Sequence, residues 1–168
     1  MANDHLLRPN SLFFIYTTLF VGFILNIFPW GNHVWVPDWL LIALVYWTIN
    51  EPRRVGIWIG FALGILMDVQ TASILGIHSL SYSLVCFIAI AWHRRILDLS
   101  TPGQIIHVLP IFLISNAIQL GALYLFTNNS VLSNWHFIVP AFIEAALWPV
   151  AKWLLSSPQR QQNQSLKL

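Results

Sequence analysis

Long apolar stretches alternate with short polar breaks from one end of this chain to the other. A membrane-spanning helix needs roughly 17–25 apolar residues to cross about 30 Å of hydrocarbon. Six stretches are read as helices on that basis: 11–30, 34–50, 55–72, 77–92, 102–126 and 135–155, followed by a polar tail over 156–168. Pro29-Trp30-Gly31 closes the first and Pro52 stops the second. Thr101, Pro102 and Gln104 open the fifth with a capping-box pattern and a proline at the first helical position. The first stretch ends in NIFPWGN and not in a small-residue cleavage site, so it reads as a retained helix.

The polar breaks are asymmetric. All eight Lys and Arg residues fall at Arg8, Arg53-Arg54, Arg94-Arg95, Lys152, Arg160 and Lys167, and the breaks over 31–36, 69–76 and 127–134 carry none. Basic residues in short loops stay cytoplasmic. The expectation is therefore an all-α integral membrane protein of six transmembrane helices with both termini inside. It forms a single transmembrane domain over 1–168. A re-entrant hairpin for helices 3 and 4 satisfies the same charge rule; two full spans are preferred because irregular backbone is not tolerated against lipid at depth. Tryptophans support the frame as an aromatic belt, with Trp30, Trp35, Trp39 and Trp135 at the outer boundary and Trp47, Trp58, Trp92 and Trp153 nearer the inner one.

Composition agrees. Hydrophobic residues make up 57% of the 168 and charged ones 8%, against about 25% charged in a soluble domain. The net charge of +2 is carried by few, dispersed bases, which excludes a nucleic-acid surface. The single cysteine, Cys86, lies in an apolar segment and reads as a small buried hydrophobe.

The sharpest internal pattern is GIWIGFALGILMD, where Gly56, Gly60, Gly64 and Asp68 recur every four residues on one helix face. Small residues at this spacing let a second helix approach closely. That helix belongs either to this chain, the favoured reading, or to a partner. Thr18, Gly22 and Asn26 make a similar packing stripe on helix 1. Asp68 lies roughly 21 Å along the helix from Arg54, toward the outer interface, where it caps the following turn or makes a functional contact. Glu144 lies roughly 13 Å inside Trp135, close to the midplane, and most needs a polar partner. Asn116 sits at similar depth with Gln119 on its face, so an Asn116–Glu144 hydrogen bond is expected. Lys152 snorkels toward headgroups. Arg53 and Arg54 read as topology markers and headgroup contacts, or as a filament contact. The histidines, at 5, 33, 78, 93, 107 and 136, are scattered, and no metal, catalytic or cofactor constellation emerges.

The run PDWLLIALVYWTINEPRRVGIWIGFALGILMDVQTASILG, with its spaced glycines, Asp68 and Leu75-Gly76, resembles the bacterial rod shape-determining MreD family. EAALWPVAKWLL, containing Leu147-Trp148-Pro149, is similar to that family's last helix. The resemblance implies a non-catalytic, cofactor-free role in side-wall elongation. The expected setting is the bacterial inner membrane, multi-pass, within the rod complex or elongasome that drives peptidoglycan synthesis. The implied partners are MreC directly, MreB filaments indirectly or through the cytoplasmic loops, and RodA with its penicillin-binding transpeptidase. Membrane lipids join them, and a homodimer stays open. The family is also similar in fold to the substrate-binding subunits of energy-coupling-factor transporters. That keeps a second reading alive: a small-molecule or lipid transport subunit whose polar cavity is lined by Asn26, Asn116, Gln119 and Glu144. The interaction and packing candidates are thus Gly56, Gly60, Gly64, Asp68, Gly76, Arg53, Arg54, Asn116, Gln119, Glu144, Trp148 and Pro149.

Overall fold

The computed structural model describes residues 11–29, 36–127 and 138–156. Among them are six helices: α1 Leu12–Ile27, α2 Trp39–Asn50, α3 Ile57–Gln70, α4 Ile77–Leu97, α5 Thr101–Thr127 and α6 Ile138–Leu155. The expected end of helix 1 at Trp30, the expected starts of helices 2 and 6, the outer tryptophans Trp30, Trp35 and Trp135, and the tail beyond Ser156 lie outside the described residues. Three helices, α4, α5 and α6, are long and apolar enough to cross a membrane, while α1, α2 and α3 are shorter apolar helices.

Helix α2 explains how so short an element fits. It has 12 residues, or roughly 18 Å, and every residue from Leu40 to Ile49 is buried. A helix that is hydrophobic on all sides belongs inside. α1, α4 and α6 pack on it, and α3–α4, α4–α5 and α5–α6 pack as sequential neighbours. The helix needs no lipid-spanning length because protein surrounds it. The large exposed side chains, including Phe13, Phe20, Trp58, Leu66, Phe87, Ile106 and Trp153, lie on the outer helices.

Several boundaries differ from the sequence reading. α2 begins at Trp39, because Pro37 precedes Asp38 and the Asp38 carboxylate accepts the N–H of Leu41 as an N-cap. α4 continues to Leu97, so Arg94 and Arg95 sit in its last turn, where the helix dipole favours them. Gln104 does not serve a capping box. Its amide donates to the Leu99 carbonyl, and its oxygen accepts from Trp148 Nε1 and Lys152 Nζ, tying α5 to α6. Trp47 is not a belt residue: it is fully buried, its indole N–H donates to Thr18 Oγ1 at 2.8 Å, and Phe14 and Tyr46 meet it edge-on. Trp58, Trp92 and Trp153 are exposed, as a belt requires.

Candidate functional site: a polar cluster at one end of the bundle

The glycine stripe and Asp68 assemble first, because they join two consecutive helices. A Cβ on Gly60 would stand 2.7 Å from Cys86 Sγ and 3.1 Å from the Tyr82 carbonyl oxygen, and one on Gly64 would collide with the backbone of Ser79. α4 therefore lies directly on this face of α3. Gly56 is not part of the contact. It is the N-cap of α3, and a Cβ there would meet one backbone oxygen at 3.8 Å. Helix 1 repeats the device toward α2: Gly22 faces the Leu40 backbone, while Thr18 and Asn26 bond to Trp47 and to Asp38 and Trp39.

Asp68 ends the stripe and is buried. Its Oδ1 accepts from His78 N at 2.9 Å, His78 Nδ1 at 2.8 Å and Ser73 Oγ at 3.1 Å. Its Oδ2 accepts from Gly76 N at 2.8 Å, Ser79 Oγ at 2.9 Å and Ser79 N at 3.4 Å. One carboxylate thus organises the whole turn from α3 into α4. Gly76 serves that geometry with a φ of 111°, a left-handed conformation that glycine adopts without strain.

A second acid group lies alongside. Asn116 Nδ2 donates to Glu144 Oε2 at 3.3 Å, the contact expected between α5 and α6. Glu144 Oε1 accepts the backbone N–H of Asp38 at 3.1 Å. Asp38 in turn accepts from Asn26 Nδ2 at 2.7 Å and from the Tyr82 hydroxyl. α1, α2, α4, α5 and α6 therefore meet through five side chains. Gln119 lies on the Asn116 face and donates to Ser115 Oγ at 3.4 Å. Beside these groups is an open recess of about 270 Å³ whose wall includes Asn26, Asp38, His78, Asn116, Gln119 and Glu144.

Asp38 and Tyr82 were not among the sequence candidates. Pro37-Asp38 before an apolar run is an N-cap signature, and starting helix 2 at Val34 hid it. Nothing in the sequence pairs Tyr82 with Asp38. The remaining candidates lie elsewhere. Trp148 is buried against Tyr46 and Phe112. Pro149 lies inside α6, beside it. Arg53 and Arg54 lie at the α2–α3 connection, where Arg54 pairs with Glu51 at 3.9 Å. By chain direction the described Arg and Lys residues occupy the end of the bundle opposite the polar cluster.

The chemistry of this arrangement is acceptor-rich and cohesive. Interhelical hydrogen bonds and close small-residue contacts are what hold helices together where lipid removes the hydrophobic drive. Ser81 Oγ to Ser115 Oγ at 2.7 Å adds one between α4 and α5.

Comparison with known proteins agrees with the pattern. The family model for rod shape-determining protein MreD matches residues 8–157. The rod shape-determining protein MreD of Haemophilus influenzae is 30% identical over 152 residues, covering 89% of this chain and 92% of that protein. No solved structure matches the chain. With a family match over nearly its whole length, the chain belongs to the MreD family of rod shape-determining proteins.

Proposed function

We propose that this rod shape-determining protein is a non-catalytic, six-span subunit of the elongation complex in the bacterial inner membrane, with both termini in the cytoplasm. In this reading it binds MreC directly and, through it, helps couple MreB filaments to RodA and its penicillin-binding transpeptidase. The observation that carries the reading is the family match over residues 8–157. The bundle supports it: the outer helices carry exposed apolar residues, and the acids are engaged in joining helices. The charge asymmetry of the sequence supports the orientation.

The partner surface follows from what is already covered. Gly60 and Gly64 face α4, so the stripe is internal and offers nothing to a partner. One open face among the described residues is the apolar groove between α1 and α3, lined by Tyr16, Phe20, Phe23, Trp58, Ala62 and Leu66. It offers apolar surface to a membrane-embedded segment of MreC, which the family resemblance implies is membrane-anchored. A photocrosslinker at Phe20 or Trp58 should capture MreC, and one at Ile106, exposed on α5, should not. Capture at Ile106 alone would place the contact elsewhere, and no capture from any face would sink the direct contact.

One observation favours a second reading, a transport subunit for a small molecule or lipid: the polar cavity is lined by Asn26, Asn116, Gln119 and Glu144 together. It requires a cargo that crosses the membrane in a reconstituted vesicle, and rounding of depleted cells does not follow from it.

A further inference from the structure

Enclosure by protein accounts for the shortness of α2 but not for that of α3, which packs chiefly on α4 and turns its other side outward. The large exposed apolar side chains of α3 run from Ile57 to Val69, and those of α4 from Leu80 to Trp92. Each run is twelve residue steps, roughly 18 Å of helix, against a hydrocarbon core about 30 Å thick. On α5, exposed apolar side chains stand at Ile106 and Leu125, roughly 28 Å apart along the helix. One side of the bundle therefore matches an ordinary bilayer, and the α3–α4 edge falls about 12 Å short of it. Tilt only widens that deficit, because a tilted helix reaches less far across the membrane.

In the frame proposed above, the deficit falls at the outer end. At the inner end of the α3–α4 pair, exposed Trp58 and Trp92 stand near Arg53-Arg54 and Arg94-Arg95, aromatic and basic groups that belong at the headgroup level. At the outer end, the turn from α3 into α4 is built for surroundings poor in water. The N–H groups of Thr71, Ala72 and Ser73 go to carbonyls of α3, and those of Gly76, His78 and Ser79 to the Asp68 carboxylate. Irregular backbone at membrane depth requires such internal satisfaction. The stretch 69–76 carries no charged residue, and Ile74 and Leu75 are exposed on it, Leu75 by 69%. The polar recess beside Asp38 and His78 opens at the same level, and its polar groups favour water there, so submerging the turn in lipid is the costlier outcome. Bilayers accommodate a short apolar span by thinning. We propose that the α3–α4 edge is fitted to a locally thinned bilayer, whose outer leaflet is drawn down around the turn so that Ile74 and Leu75 meet acyl chains at the level where water begins. The partner of this surface is the lipid itself, and short or disordered chains suit it better than long ordered ones. The inference rests on the six-span reading.

The test uses the full-length protein in vesicles of dioleoyl phosphatidylcholine. A single added cysteine, in Leu75→Cys at the turn or in Leu125→Cys at the outer end of α5, carries a bimane fluorophore. Both side chains are exposed, so neither change disturbs the packing; Ile74→Cys repeats the measurement if Leu75→Cys does not fold. Cys86 is buried, and labelling of the unaltered chain measures its background. Iodide quenches from the water, and a phosphatidylcholine with a nitroxide near its chain end quenches from the bilayer centre. The label at position 75 should be quenched by both, and by the nitroxide several-fold more than the label at position 125. Quenching at 75 by iodide alone would place the turn at full bilayer height, quenching by the nitroxide alone would submerge it, and shielding from both would put protein over it. Each of these three results would overturn the proposal. Thiol labelling of Leu75→Cys and Arg53→Cys in intact and opened spheroplasts judges the six-span reading separately. Labelling of both from one side would end that reading and the inference with it. Labelling from opposite sides with one of the three contrary quenching results would end the inference alone.

Discussion

Asp68 and Glu144 are carboxylates in apolar helices, and their surroundings give them different weight. Asp68 accepts six hydrogen bonds, all from the turn and first residues of α4. Asp68→Asn would turn an amide toward donors that need an acceptor. It should cost about 3 kcal/mol, read as a fall in unfolding temperature in detergent or in the folded yield from membranes. An unchanged temperature would mean that the turn holds without its carboxylate. Glu144 and Asn116 share one bond across α5 and α6. A double-mutant cycle on Glu144→Gln and Asn116→Ala should give a coupling of about 0.6–1 kcal/mol, in line with interhelical bonds in membranes; additive effects would deny the contact. At this scale the sequence was readable where depth alone pairs residues, as for Asn116 and Glu144. It was not readable for the pairing of Asp38 with Tyr82, which joins the start of α2 to α4 and is defined only by the packed bundle.

Helix α3 shows how spacing becomes contact. Four small or acidic residues at intervals of four specified a face, and the structure puts α4 on that face at Gly60, Gly64 and Asp68. Gly64→Ala should destabilise by about 3 kcal/mol, because the new methyl meets Ser79 backbone that cannot yield. Gly56→Ala, at the N-cap with open space, should stay within about 1 kcal/mol. Equal effects in the same unfolding measurement would show that the stripe is uniform and that α4 does not grip it. Existence of the helices was legible because apolar length is a strong signal. Their ends were less so: α4 runs through His93, Arg94 and Arg95 because charged residues continue a helix as readily as they end it. The start of α2 depended on a cap and not on hydropathy.

At the scale of the whole bundle, the polar cluster lies at one end and the described Arg and Lys residues at the other, with α2 enclosed between them. The proposed frame puts the Arg53-Arg54 connection in the cytoplasm and the turn at Ser73 outside. In a Cys86→Ser background, a single cysteine replacing Ser73 should react with an impermeant thiol reagent added to intact spheroplasts. One replacing Arg53 should react only after the membrane is opened. The opposite labelling would invert the topology, and labelling of both from one side would indicate a hairpin in place of two spans. The family was legible because the central run carries its spaced glycines, Asp68 and Leu75-Gly76 together. The buried position of α2 was not, since a helix enclosed by protein and one facing lipid are equally apolar in sequence.

Membership of the MreD family makes this bundle a determinant of rod shape in cells. Depletion of the chain in its own host, followed by microscopy over several generations, tests it most directly. Depleted cells should lose their rod form and become round, and the wild-type chain should restore it. Cells that remain rods after complete loss of the protein, with no suppressor mutation, would contradict it.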